Sequence, residues 1–304
     1  MDFKSLVGSI ALLVLALAPA YGRSSPATSI SSSSTFTISA FNVPVSTSVY
    51  VSSSSISTTT WRTMPNTAFQ VGEDLSYVVR WGIVTGGHSS LAIHGIDKVL
   101  DRPAYHIMSE ARSSSFVDTF YKTRDRNETW LDTQSLSTLR YEKHIHEGRY
   151  RVEEAIDLDQ INHRFYDYSQ RLDKGTTDYV QGAIPPNVMD VLGSLYYVRT
   201  QALEVGQEFI IDVYDGKKIW PLLIRVEKRE TIKVPAGKFD CFRVEPLLRE
   251  PGIFVSKGKK LQVWMTADEY KMPVLMRSEV VVGHVSAELV SYRRSTTNPP
   301  TATP

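Results

Sequence analysis

The sequence has one cysteine in 304 residues, and much follows from that scarcity. Cys241 has no partner for an internal disulfide, and the chain alone holds no four-thiolate zinc site or iron–sulfur cluster. Charge of one sign is missing as well. Lys and Arg number 34 against 33 Asp and Glu, a formal net charge of +1, which leaves no basic footprint for nucleic acid and no acidic tail. No apolar run reaches the ~20 residues that a membrane-spanning helix requires. The local signatures of catalysis are also absent. There is no Gly-x-Ser-x-Gly elbow, no phosphate-cradling glycine loop, no His-Glu-x-x-His and no dinucleotide fingerprint. Asp157-Leu158-Asp159 lacks the downstream spacing of a calcium loop.

What is present begins with a segment of secretory character. Lys4 supplies a positive start, Leu6 to Ala18 an apolar core, and Ala20-Tyr21-Gly22 small residues at the cleavage positions. Residues 1–22 are read as a signal peptide, with no membrane span left after its cleavage, and the protein as exported to the periplasm or cell envelope. From Ser24 to Trp61 no residue is charged, and Ser and Thr dominate in runs such as Ser31 to Ser34 and Thr58 to Thr60. Such composition has too little apolar material to offset the entropy of ordering. Residues 23–66 are therefore expected to be a disordered spacer and residues 295–304 a disordered tail, flanking one domain over 67–294.

Within that domain the hydrophobic pattern has period two. Leu75-Ser76-Tyr77-Val78-Val79-Arg80-Trp81 alternates as a half-buried strand does, and similar segments follow at hairpin spacing. Gly86-Gly87 reads as a break, and Glu147-Gly148 and Asp215-Gly216 read as turns. One segment differs. Val188, Val191, Leu192, Leu195 and Tyr196 recur at helical spacing after Pro185-Pro186, the stripe of an amphipathic helix. About a dozen strands and one central helix predict an all-β fold, a strongly curved antiparallel sheet or a partly closed β-barrel.

Candidate site residues are few. Asp190 and Arg199 fall at the two ends of the helix, where a carboxylate and a cation complement its dipole. Tyr196, Tyr197 and Trp264 are aromatic candidates for a cavity wall, although aromatic residues at such spacing are more often core. The expected ligand contacts are Asp190, Tyr196, Arg199, Trp264 and Asp268. No catalytic residue and no cofactor is assigned. The metal-like pattern that stands out is His144-Ile145-His146, whose imidazoles share one strand face, with His163 or Glu153 as a third ligand. Two solvent-facing histidines explain it as well, and no metal is assigned. Asn127-Glu128-Thr129 matches a glycosylation acceptor, and Cys241 between Phe239 and Phe242 reads as a buried, inert thiol.

Several segments, taken in order, resemble the bacterial DUF3108 family of exported proteins. They are Val71-Gly72-Glu73-Asp74-Leu75-Ser76-Tyr77, Asp190 to Arg199, Val234-Pro235-Ala236-Gly237-Lys238-Phe239-Asp240-Cys241, and Val263-Trp264-Met265-Thr266-Ala267-Asp268 with Lys271-Met272-Pro273-Val274. The resemblance implies an envelope setting and an all-β fold, and it carries over no catalytic residue. The leading functional expectation is a non-catalytic envelope protein that holds a lipid or glycan in the concavity of its sheet. The alternatives are a polysaccharide hydrolase using Asp190 and Asp268 as its carboxylate pair, and a structural module that engages another envelope protein.

Overall fold

The computed structural model describes residues 61–216, 218–248, 260–279 and 283–294. The expected signal peptide, most of the expected spacer and the tail lie outside the described residues. The last stretch assigned to the spacer is docked on the domain. Arg62 donates to the Ser135 carbonyl at 2.7 and 3.0 Å, and the Met64 amide donates to the Gln134 carbonyl. Trp61 lies under the Arg102 guanidinium, 3.7 Å from its ring centroid.

Fourteen strands form one antiparallel sheet. In chain order they are β1 (Asp74–Trp81), β2 (Val84–Val99), β3 (Arg102–Ser113), β4 (Arg124–Asp132), β5 (Thr138–Glu147), β6 (Tyr150–Asp159), β7 (Arg164–Arg171) and β8 (Thr176–Ala183). After these come β9 (Glu208–Tyr214), β10 (Ile219–Val234), β11 (Gly237–Leu248), β12 (Leu261–Thr266), β13 (Pro273–Glu279) and β14 (His284–Arg293). A short helix α1 (Ser115–Asp118) caps the β3–β4 connection, and α2 (Val191–Thr200) joins β8 to β9. The spatial order β8-β7-β6-β5-β4-β3-β2-β1-β14-β13-β12-β11-β10-β9 describes two meanders stitched together by the pairing of β1 with β14, Asp74 opposite Arg293.

Turn chemistry explains much of the register. Gly148 at φ +58° supplies the left-handed position of the two-residue loop between Glu147 and Tyr150, as the Glu147-Gly148 signal implied. The first hairpin departs from expectation. The chain turns at Gly82-Ile83, and β2 continues past Gly86-Gly87 with a shift of its register against β1 at Gly86. Gly87 is needed there because a Cβ would collide with the Arg112 carbonyl oxygen of β3.

The sheet does not close by hydrogen bonds, because β8 and β9 are its two ends. The ends overlap through inward-facing side chains instead. Tyr214 of β9 donates from its hydroxyl to Asp167 of β7 at 2.9 Å and packs on Phe165, and Lys143 of β5 reaches the Asp215 carbonyl at 3.0 Å. Residues just before α2 cover part of the β9 edge, where Met189 forms a parallel bridge to Val213. Inside this curl lies one large apolar core, including Leu75, Ile93, Ile107, Leu131, Ile156, Val226, Val274 and Leu289. Helix α2 packs on that core from within. No helix among the described residues is long and apolar enough to cross a membrane.

Candidate functional site: an apolar cavity beside a pinned helix

Helix α2 starts three residues later than its apolar stripe suggests, because Asp190 is its N-cap. Asp190 Oδ1 accepts the amides of Leu192 at 2.7 Å and Gly193 at 3.0 Å. Its Oδ2 accepts the hydroxyls of Thr129 at 2.5 Å and Thr138 at 2.6 Å, so the cap is bolted to β4 and β5. Burial raises the pKa of this carboxyl, opposed by those four hydrogen bonds. With both oxygens doubly engaged inside the protein, Asp190 stabilises the helix and faces no cleft.

The other end of α2 is held by Arg199, whose side chain is fully buried. It meets Glu73 in a two-pronged pair at 2.6 and 2.7 Å and donates to the carbonyls of Ala68 and Tyr270. Tyr196 is buried in the same cluster, edge-on to Phe69 at 5.0 Å and beside the Arg199 guanidinium. These groups fasten the helix to the strand entry at Glu73 and to the turn at Tyr270, and they offer no free surface to a ligand.

Between the two anchors, α2 and the inner face of the sheet leave an apolar cavity of about 70 Å³. Val191, Leu195 and Val198 line it from the helix, and Leu91, Leu222, Ile224, Val263, Met265 and Met276 from the sheet. Its few polar groups include Ser109, Asn127 and Tyr141. The Tyr141 hydroxyl donates to Asn127 Oδ1 at 3.2 Å, whereas the buried Ser109 hydroxyl has no hydrogen-bond partner among the described residues. Asn127 is thus walled inside the domain, which removes it from use as a surface glycosylation acceptor in the folded protein.

The remaining expected contacts lie elsewhere. Trp264 faces away from its neighbours Val263 and Met265, and so away from the cavity; its indole donates to Glu230 at 2.8 Å. Asp268 is on an exposed turn, where it accepts the Thr266 hydroxyl at 2.5 Å and the amides of Tyr270 and Lys271. The carboxylate pair Asp190 and Asp268 is therefore not assembled across a cleft. Cys241 is buried as expected, and burial pushes its thiol up to about 12. His146 faces outward beside Arg151, Lys122 and Arg124, and desolvation, followed by these cations, lowers its pKa. The residues that do line the cavity were missed because strand alternation marks them only as core. Their convergence depends on which strands are neighbours.

An incompletely closed, barrel-like antiparallel sheet with a helix held against its inner face defines the class of protein. Its sequence places it more narrowly. A family model described as "Protein of unknown function (DUF3108)" matches residues 76–290, and the chain belongs to that family. A search of curated proteins returned no significant match. Among solved structures, the chain is similar to the crystal structure of a beta-barrel-like protein of the DUF1849 domain of unknown function from Brucella abortus. That similarity has 10% identity and a TM-score of 0.53, covering 75% of this chain and 99% of the other. A lipoprotein candidate from Parabacteroides distasonis matches at 10% identity and a TM-score of 0.28, covering 76% of this chain and 99% of that one. An exported-protein candidate with a YmcC-like fold from Bacteroides fragilis matches at 10% identity and a TM-score of 0.28, covering 77% and 100%.

Proposed function

We propose that this protein is a non-catalytic, exported binding protein whose cavity beside α2 admits the tip of a slender apolar ligand, the terminal methyl and methylene groups of an acyl chain, in preference to a glycan. The carrying observation is the lining: aliphatic and thioether side chains from α2 and from both meanders converge on one unfilled space. A sugar would leave most of its hydroxyls without partners there, at a cost that a methylene chain does not incur. Methionine at two wall positions, Met265 and Met276, suits a pocket that adjusts to flexible hydrocarbon. The unpartnered Ser109 hydroxyl is available to a single polar group on the ligand. The N-terminal Lys4, Leu6 to Ala18 and Ala20-Tyr21-Gly22 pattern supports the exported location.

A second reading, engagement of an envelope protein, has one observation in its favour. Among the described residues, strand β8 is paired on one side only, and it exposes Tyr179 and Val180.

Native mass spectrometry of the protein purified from its own host distinguishes the two, supported by calorimetric titration with unlabelled decanoic acid as the probe. Acyl binding is expected at one probe per chain, with loss of binding when Leu195→Trp fills the space. A probe that does not bind, or binds equally to a folded Leu195→Trp variant, would overturn the acyl reading. A co-purifying protein with no lipid would transfer support to the β8 edge.

A further inference from the structure

On the outer face of the sheet, away from the cavity, a row of metal-ligating side chains crosses four neighbouring strands: His106 on β3, Glu128 on β4, Glu142 and His144 on β5, and Glu153 on β6. Glu128, Glu142 and His144 each offer one ligand atom, and these atoms all lie within 4.8 Å of one another. His144 Nε2 is buried and has no hydrogen-bond partner among the described residues. It faces Glu128 Oε1 at 3.5 Å and Glu142 Oε2 at 3.6 Å. Both separations are long for a hydrogen bond. They are close to the ~3.3–3.4 Å that separates two ligands bound at ~2.0–2.1 Å to one tetrahedral ion.

The surrounding groups orient this set. The other ring nitrogen of His144, Nδ1, makes a short contact with Glu153 Oε2. A proton held on Nδ1 by that carboxylate leaves the Nε2 lone pair pointing between the two glutamates, the arrangement of a carboxylate–histidine–metal relay. His106 does the same for Glu128: its Nε2 meets Oε2 at 2.6 Å, its Nδ1 meets Asp97 at 3.3 Å, and its ring stacks on Trp130 at 4.5 Å. Glu128 is nine-tenths buried, so its rotamer is set by these neighbours. Arg126 Nε occupies one lone pair of Oε1 at 2.8 Å; a carboxylate oxygen has a second, and the Arg126 side chain is 45% exposed and free to swing outward.

We propose that Glu128, Glu142 and His144 form a site for a divalent transition-metal ion, Zn²⁺ foremost, held by one nitrogen and two oxygens with solvent completing the shell. The site differs from the His144-Ile145-His146 pattern that strand spacing suggests. His146 lies among cations and is no ligand, and the second and third ligands come from Glu142 on the same strand and Glu128 on the next. The ion would tie β4 directly to β5, with β3 and β6 engaged through His106 and Glu153. This inference does not depend on the acyl-binding reading.

The test is calorimetric titration of the tag-free full chain with Zn²⁺, with Mg²⁺ as the hard-cation control. One Zn²⁺ per chain is expected, with little heat from Mg²⁺. His144→Ala and Glu142→Gln are each expected to abolish measurable binding. Glu153→Gln is expected to weaken it about 10–100-fold through the lost orientation of the imidazole. His146→Ala is expected to leave it unchanged, and circular dichroism of every variant reports folding. The Glu142 side chain is 26% exposed and Gln is isosteric with Glu, so Glu142→Gln keeps the test decisive if His144→Ala fails to fold. Absence of Zn²⁺ binding by the wild-type chain would overturn the proposal, as would full affinity in a folded Glu142→Gln variant or equal loss in His146→Ala. In any of those cases the cluster is a histidine–carboxylate hydrogen-bond network.

Discussion

Arg199 and Glu73, 126 residues apart in the chain, meet in a fully buried, two-pronged ion pair at 2.6 and 2.7 Å. The pair joins the last turn of α2 to the residue that leads into β1, and it draws in the carbonyls of Ala68 and Tyr270. With Asp190 fixing the first turn to β4 and β5, the helix is held at both ends and the cavity lies along the span between them. The relationship is thus architectural: the charged residues flanking the helix hold the cavity open by holding its wall in place.

Removing one partner leaves the other charged and buried. Arg199→Met is expected to lower stability by about 3–5 kcal/mol in urea unfolding, whereas pairing it with Glu73→Leu restores most of that loss. A loss of under about 1 kcal/mol for the single variant would mean that the pair is solvated like a surface bridge.

The Asp190 cap can be dissected in the same way. Asp190→Ala removes the acceptor of two helix amides, costing about 0.5–2 kcal/mol. It also strands the Thr129 and Thr138 hydroxyls, each at about 1–3 kcal/mol. Asp190→Asn keeps an oxygen for the amides and is expected to lose less. Equal denaturant midpoints for Ala and wild type would refute the capping role.

Much of this architecture was legible in the sequence, for identifiable reasons. Period-two stretches such as Leu75 to Trp81 face a core on one side and retain that signature wherever they pair. Glu147-Gly148, Asp215-Gly216 and the α2 stripe are local devices, readable without knowing any neighbour. Strand β8 was not legible. Thr176 to Ala183 has no apolar face because it is an exposed edge, paired only with β7. Gly86-Gly87 misled for the opposite reason, since Gly87 permits close backbone approach to β3 and Gly86 a register shift within a continuing strand. The site residues show the limit most clearly. Asp190, Tyr196 and Arg199 were singled out as ligand contacts, but their partners Thr129, Phe69 and Glu73 come from distant elements. Without those partners an anchor reads like a ligand contact. The cavity wall and the outer Glu128–His144 row arise from strand neighbours, which no local window contains.

Two acidic groups near α1 have an unusual pH dependence. Asp125 and Glu147 are neighbours close to Tyr121, whose hydroxyl donates to Glu147 at 3.4 Å. Burial, reinforced by Asp125, raises Glu147 to about 8, and burial raises Asp125 to about 6. A carboxyl whose folded pKa lies above its unfolded value binds protons more tightly when folded. Its stabilising effect is complete at acid pH and is lost as pH rises through the folded value. Glu147→Gln is therefore expected to gain on wild type as pH rises from about 5 to 9. Thermal unfolding at a series of pH values checks this, and a constant difference between the two proteins would refute it.

The overlap of the sheet ends gives the last expectation. Asp167 is raised to about 7, first by burial and then by the nearby Glu154 carboxylate, against the hydrogen bond from Tyr214 and the charge of Lys143. Lys143 is committed to Glu154 at 2.5 Å and to the Asp215 carbonyl, so one cation serves two carboxylates. Ionising Asp167 adds a second negative charge to that enclosed space, and the sign is the same as for Glu147: the seam is tightest at low pH and loosens as pH rises through about 7. Trp220 reports on it, because its indole donates to Asp215 Oδ2 at 3.0 Å, beside the Tyr214 that bonds Asp167. Its emission is expected to shift with a midpoint near neutrality in wild type, and the midpoint should vanish in Asp167→Asn, which keeps the acceptor for Tyr214 and lacks the charge. A Trp220 transition unchanged in Asp167→Asn would assign it to another group and leave the overlap of β7 and β9 insensitive to protons.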